Sequence, residues 1–310
     1  MLDKSKVRGG IYGLLLGDAA GVPYEFNPPS NLAPFADRID MIPPRGFRRT
    51  YSVPVGTWSD DGALALCLLE SLVELDRFDL VDQTRRMVAW LDEGHLAVDN
   101  HVFDVGFTTR QSLGQARSLL EQGISPVGQG AVHEQSAGNG TLMRILPLAL
   151  WHDGSDEELV RRAMDHSALT HAHPACLVCC AIACVWVRSF DGDVDETFEA
   201  AFNKVKVMVQ DQPNLLAALG LVDAWRSKAP TGTGFVVDTL LSAKLTLKQG
   251  SDYKDVIRRS ILLGNDTDTT AAVAGGLAGV RCGVEALPGE WMKLLRGKTL
   301  VETILGRAGV

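Results

Sequence analysis

A basic block is missing from this chain. Its 310 residues carry 30 Lys and Arg against 38 Asp and Glu, for a net charge of −8. The longest basic runs are pairs: Arg48-Arg49, Arg85-Arg86, Arg161-Arg162 and Arg258-Arg259. Direct nucleic-acid binding normally needs a concentrated positive face, so no DNA or RNA partner is expected. Long apolar runs are missing too. No segment approaches the roughly 20 apolar residues that cross a bilayer, so no membrane partner is expected. Lys4, Lys6 and Arg8 ahead of an apolar stretch and Asp18-Ala19-Ala20-Gly21 imitate a signal peptide, but Leu14-Leu15-Leu16 is short and Gly13, Gly17 and Asp18 interrupt it. Six cysteines occur, without a second pair at zinc spacing. Cys176, Cys180 and Cys184 share one helix face and read as small buried hydrophobes. Clustered free thiols suit a reducing compartment, so a cytoplasmic location is expected. Aromatics make up only 6% of the chain, and none can be named as a stacking platform.

Helical periodicity fills much of the space these absences leave, and few stretches alternate with period two. Helices are expected over 8–20, 60–75, 80–92, 109–122, 140–152, 156–167, 173–189, 195–209, 213–227, 234–249, 253–263, 269–281 and 289–296. Residues 27–58, with six prolines, and 123–139 are the long irregular stretches, of a length that is usually functional or mobile. With 46% hydrophobic residues and no linker, repeat or composition break, the simplest account is a single compact multi-helix all-α domain spanning 1–310.

Glycine recurs at 9, 13, 17 and 21, along one helix face. Each costs about 1 kcal/mol of helix stability relative to alanine, so four in register imply that another backbone approaches there. Residues 269–281 have a matching small-residue profile in Ala271, Ala272, Ala274, Gly275, Ala278 and Gly279. A tight central crossing of these two helices is expected, bringing Asp18 and Glu25 near Asp266 and Asp268.

Two acidic bursts lie about 200 residues apart, each at an expected helix start. One is Ser59-Asp60-Asp61 and the other Asp266-Thr267-Asp268-Thr269. One burst alone would be an N-cap with first-turn acids placed by the helix dipole. Two, each with a hydroxyl beside its carboxylates, form an all-oxygen cage if they converge. Such a cage repels itself unless hard divalent cations fill it, which points to Mg²⁺ or Mn²⁺ in a central cleft. Gly138-Asn139-Gly140-Thr141 ahead of an expected helix forms a backbone nest suited to an anion such as a diphosphate. Asp104, in Phe103-Asp104-Val105-Gly106, could face a cationic substrate group or be a solvated loop acid. His166, His171 and His173 fit no zinc spacing, and at most one is expected to touch a ligand.

Taken as a set, residues 13–25 (GLLLGDAAGVPYE), 56–63 (GTWSDDGA), 103–110 (FDVGFTTR), 138–147 (GNGTLMRILP), 170–174 (THAHP) and 264–276 (GNDTDTTAAVAGG) resemble the ADP-ribosylglycohydrolase family, which includes the bacterial dinitrogenase reductase-activating glycohydrolase. The resemblance implies an all-α fold around a two-metal centre. Its acidic ligands map onto Asp60, Asp61, Asp266 and Asp268, its hydroxyl ligands onto Ser59 and Thr269, and its flexible-loop glutamate onto Glu25. Ser59 stands where threonine is usual and Asn265 where glycine is frequent, and neither change removes a carboxylate. The implied activity is metal-dependent removal of ADP-ribose from modified protein side chains by a monomer. Residues 103–110 look closest to the arginine-directed branch, which makes ADP-ribosyl-arginine the preferred substrate. Glu25, Asp61, Asp104 and Asp268 are the expected catalytic set. Asp104, Gly106, Gly138, Asn139, Gly140, Thr141 and His171 are expected to bind substrate. Action on serine-, ester- or nucleobase-linked ADP-ribose, a non-catalytic ADP-ribose binder, and a phosphohydrolase built on the histidines are the rivals.

Overall fold

Glycine decides where the centre of this molecule lies. In the computed structural model, which describes residues 3–310, helix α1 (Lys4–Gly21) runs against helix α13 (Thr267–Cys282) in opposite directions along its whole length. A Cβ on Gly9 would fall 2.3 Å from the Gly279 carbonyl oxygen. On Gly13 it would fall 2.3 Å from that of Gly275, and on Gly17 2.0 Å from that of Ala271. No side chain larger than hydrogen fits, so the tight crossing expected from the four-residue glycine spacing is present. Tyr253 stitches it by donating its hydroxyl to the Gly13 carbonyl at 2.6 Å.

The other helices wrap this pair. They are α2 (Pro29–Leu32), α3 (Asp60–Leu75), α4 (Leu80–Glu93), α5 (Phe107–Glu121), α6 (Leu146–Trp151), α7 (Asp156–Ser167), α8 (Pro174–Arg188), α9 (Val194–Met208), α10 (Pro213–Trp225), α11 (Val236–Gln249), α12 (Tyr253–Leu262), α14 (Gly289–Leu294) and α15 (Lys298–Arg307). Among the described residues, β structure is limited to two isolated bridges, Ala131 with His171 and Gly138 with Phe235. The fold is all-α, with one continuous hydrophobic core. Side chains cap the starts in the expected way: Ser59 on α3, Asp79 on α4, Ser155 on α7, Asp193 on α9 and Asp252 on α12 each accept from a first-turn N–H. No helix among the described residues is long and apolar enough to cross a membrane. The five buried cysteines are unpaired, and burial pushes the thiols of Cys67, Cys176, Cys179, Cys180 and Cys184 up, which leaves them inert packing groups.

One expectation needs correction. The helix expected over 140–152 is confined to α6, and residues 140–144 are turns. Pro147 lacks an N–H and is tolerated only in a helix's first turn, so the helix begins at Leu146. Ahead of it, the Arg144 side chain takes the Gly140 carbonyl that a helix would have paired with a backbone N–H. α15 lies outside the expected helices and packs on α3.

Candidate active site

Both acidic bursts start helices, and the α1–α13 crossing brings those starts together. Gly21 closes α1 against the first turn of α13, where a Cβ would sit 2.4 Å from the Asp268 Cα. Thr267 fixes the register by donating its hydroxyl to the Gly21 carbonyl at 2.9 Å. At the start of α3, Ser59 Oγ accepts from the Asp61 N–H at 3.3 Å. Asp18, from the last turn of α1, accepts from the Ser59 N–H at 2.9 Å and the Gly62 N–H at 2.8 Å. Asp18 therefore anchors the first burst from a helix end whose Gly17 and Gly21 pack on α13 at the second. Burial pushes Asp18 up to about 7, and the bonds from Ser59 and Gly62 work against that rise.

The bursts meet at Thr269, whose hydroxyl donates to Asp61 Oδ1 at 3.3 Å. Carboxylate oxygens of Glu25, Asp266 and Asp268 all lie within 4.8 Å of one another. Burial pushes Asp60, Asp61, Asp266 and Asp268 upward, and the neighbouring carboxylates push most of them further. Glu25 is raised by burial and by the neighbouring Asp104 carboxylate. Three buried oxygens in this cluster, Glu25 Oε2, Asp61 Oδ2 and Asp266 Oδ1, have no hydrogen-bond partner. An unpartnered buried carboxylate oxygen costs about 1–3 kcal/mol or more, so three of them in one cluster make a site that could hold a cation. The donors are all oxygen, which suits a hard divalent ion such as Mg²⁺ or Mn²⁺.

The Glu25 loop is held in place by backbone. Phe26 N donates to the Asn265 carbonyl at 2.6 Å, and Asn265 N donates to the Asn27 carbonyl at 2.8 Å. Phe26 and Asn265 both have positive φ, 58° and 60°. Asparagine is among the few non-glycine residues that tolerate this region, which accounts for Asn265 where glycine is frequent. Asp104 shares the strain, with φ 56°, and its Oδ1 accepts from the Tyr51 hydroxyl at 2.6 Å. A strained acid fixed by a phenol is placed rather than free in solvent. Tyr51 comes from the proline-rich 27–58 segment, and Thr50 beside it donates to the Glu25 carbonyl. That irregular stretch thus braces both Glu25 and Asp104.

A cleft of about 320 Å³ opens over these groups. Its walls include Glu25, Asp60, Asp61, Asp104, Gly106, Gly138, Asn139, Gly140, His171, Asp266 and Thr269. Ser59 and Asp268 lie just beneath, buried. Asn139 has a definite partner: its Nδ2 donates to Asp266 Oδ2 and to Thr239 Oγ1, both at 2.9 Å. It orients a carboxylate of the second burst. Thr141 faces inward instead. Its side chain is fully buried, and its hydroxyl oxygen accepts from Ser167 at 3.0 Å. Of the three clustered histidines only His171 reaches the cleft. His166 is buried between Arg144 and Gln83, and His173 caps α8. No metal site gathers on them, which removes the basis of a histidine phosphohydrolase. Tyr51, Arg144 and Thr170 are the supporting residues that sequence reading missed, and the partners of Asp18 were not foreseen. Asp18, Arg144 and Thr170 lay inside the quoted motifs, but nothing in their spacing gave their partners.

Comparison with known proteins agrees with this geometry. Residues 2–309 match the family model for ADP-ribosylglycohydrolase. ADP-ribosylarginine hydrolase Tri1 of Pseudomonas putida (strain GB-1) is 30% identical over 297 residues, spanning 94% of this chain and 74% of that protein. The ADP-ribosyl-(dinitrogen reductase) glycohydrolase of Rhodospirillum rubrum is 25% identical over 310 residues, spanning 97% and 96%. A solved ADP-ribosylglycohydrolase-related protein complex superposes with a TM-score of 0.75 at 27% identity, covering 97% of this chain and 95% of its own. With its two acidic helix starts joined over a cleft, the chain belongs to the ADP-ribosylglycohydrolase family.

Proposed function

We propose that this protein is a metal-dependent hydrolase that removes ADP-ribose from modified protein side chains, with the N-glycosidic bond of ADP-ribosyl-arginine as its preferred target. The observation that carries the reading is the trio of unpartnered buried oxygens on Glu25, Asp61 and Asp266, in a cleft that is also lined by the acid-free Gly138–Gly140 segment. Asp60, Asp61, Asp266 and Asp268 would hold two Mg²⁺ or Mn²⁺ ions, with Ser59 and Thr269 supplying hydroxyl oxygens. Such ions supply Lewis acidity toward hydroxyl and water oxygens and neutralise the cluster.

The chain's own groups account for the rest. The two bursts fix the distal ribose over the carboxylates, which favour the positive charge that develops on an oxocarbenium-like ribose. Glu25, at the rim of the cluster, accepts the proton of the attacking water. Asp104, braced by Tyr51, pairs with the guanidinium and steadies it as the C–N bond breaks. The Gly138–Gly140 backbone, with His171 beside it, takes the diphosphate, and Gly106 lines the same cleft next to Asp60. The arginine preference draws on Asp104 and on the Pseudomonas putida relative named above as an ADP-ribosylarginine hydrolase.

The test is a release assay on arginine-, serine- and ester-linked ADP-ribose, each with and without EDTA. Chelator-sensitive release from arginine alone is the expected result. Release from serine or an ester in preference to arginine would reassign the linkage. Tight ADP-ribose binding with no release from any substrate would make the protein a binder.

A further inference from the structure

Beneath the cleft lies a guanidinium with no carboxylate beside it. Arg144 is fully buried, and its three bonds go to neutral acceptors: Nε to His166 Nε2 at 3.0 Å, Nη1 to the Gly140 carbonyl at 2.9 Å and Nη2 to Thr170 Oγ1 at 2.9 Å. Thr170 Oγ1 also lies 2.8 Å from His171 Nδ1. A guanidinium only donates, so these contacts fix the protons around it.

At Thr170 there are two arrangements. If His171 Nδ1 carried the proton, Thr170 Oγ1 would accept twice. Its own hydroxyl proton, on a fully buried residue, would then have no acceptor among its two contacts. That costs about 1–3 kcal/mol, a factor of roughly 5 to 150 in population. If Nδ1 accepts from Thr170 instead, every group is satisfied and the ring proton must sit on Nε2. The ring cannot escape the choice by charging, because burial, aided by Arg144, pushes His171 down to about 3. His171 Nε2 faces the loop of the cleft, 3.2 Å from where a Cβ of Gly140 would be and 3.6 Å from one on Gly138. The same guanidinium draws the Gly140 carbonyl inward. In a planar trans peptide this turns the Thr141 N–H the opposite way, away from the buried guanidinium.

We propose that Arg144 and Thr170 are positioning residues which, through one proton chain, lock His171 as a neutral Nε2–H donor aimed at the diphosphate subsite. One buried cation thus sets a side-chain donor and a backbone donor on the same wall, where a neutral hydroxyl alone would leave the imidazole free to flip its proton. The assignment of the subsite to a diphosphate rests on the function proposed above, whereas the tautomer does not.

Two-bond ¹H–¹⁵N correlation on histidine-labelled protein, with His171→Gln to assign the signal, reads the tautomer directly. The expected result is Nε2–H for His171 in ligand-free protein, unchanged between about pH 5 and 8. An Nδ1–H or imidazolium signal would overturn the proposal, whatever the enzyme hydrolyses. Thr170→Val removes the hydroxyl. It should shift His171 toward a mixture of tautomers and weaken ADP-ribose binding about tenfold, the equivalent of one oriented hydrogen bond. Thr170→Ser should restore both. Unchanged affinity and an unchanged His171 signal in Thr170→Val would refute the chain. If Thr170→Val does not fold, the wild-type tautomer decides. Wild-type protein that shows the Nε2–H tautomer but does not bind ADP-ribose would sink the functional reading and leave the proton chain standing.

Discussion

The two walls of the cleft are built on opposite principles. The α3 and α13 wall has an excess of acceptors: Glu25, Asp61 and Asp266 each keep a buried oxygen without a donor. The Gly138–His171 wall is backed by a buried arginine and has no carboxylate of its own among the residues between 138 and 144. On the proposed function, the first wall would take a cation and the second would offer donors to an anion. The proposed ligand, with a hydroxyl-bearing sugar at one end and a diphosphate at the other, would satisfy both at once. Neither wall discloses this alone, since acidic clusters and glycine turns are each common.

Breaking the acidic wall should have the largest effect. Asp61→Asn or Asp268→Ala removes a carboxylate from the convergence point, and several kcal/mol of transition-state stabilisation goes with it. We expect kcat/KM on ADP-ribosyl-arginine to fall ~10³-fold or more, read in the release assay. Asp104→Asn keeps the shape and the Tyr51 contact but loses the charge. It should cost ~10–100-fold in kcat on arginine-linked substrate while ADP-ribose affinity stays within about twofold. Equal loss in both would remove Asp104 from the guanidinium.

The acidic wall also depends on how closely α1 approaches α13. Gly13→Val forces a side chain onto the Gly275 carbonyl and should destabilise the fold by roughly 3 kcal/mol or more in urea unfolding. Gly114→Ala, in the middle of α5 with open space around the new methyl, should stabilise by about 0.5–1 kcal/mol. Equal effects of the two would mean that the crossing is loose.

The walls should also differ in their response to pH. In the cation-free protein Asp60, Asp61, Asp266 and Asp268 are raised above the ordinary carboxylate range by burial. The folded state therefore binds more protons than the unfolded one. This contribution to stability is full below about pH 4 and declines as pH climbs above it. A divalent ion competes with those protons. The rise in Tm on adding Mg²⁺ should accordingly be small near pH 5 and grow toward pH 8, approaching ~3 kcal/mol of stabilisation at a hundredfold excess over Kd. His171, pushed down to about 3, works with the opposite sign: its contribution is full above the ordinary histidine value of about 6.5 and is lost as pH falls below it.

Much of this was legible in the chain. The four-residue glycine spacing announced the α1–α13 crossing, because backbone proximity leaves a trace in residue size. The bursts announced themselves because carboxylates and hydroxyls at helix starts form a local pattern. What stayed hidden depended on distant partners. Asn139 reads as part of an anion nest, yet its amide goes to Asp266 and Thr239, which lie 127 and 100 residues away. Thr141 reads as a cleft residue, yet its hydroxyl is buried against Ser167. Arg144 sits in a motif, but the reason for a buried arginine lies in His166, Gly140 and Thr170. The helix expected from residue 140 fails on Pro147, a local signal outweighed by the apolar periodicity around it.

Convergence of the two acidic helix starts on divalent cations is the central claim, and Mn²⁺ titration of EDTA-stripped protein followed by electron paramagnetic resonance tests it most directly. The account predicts saturable binding of two ions per chain, lost or sharply weakened by Asp61→Ala on one helix and by Asp266→Ala on the other. Absence of tight Mn²⁺ binding in the wild-type protein, or binding that survives both substitutions unchanged, would contradict it.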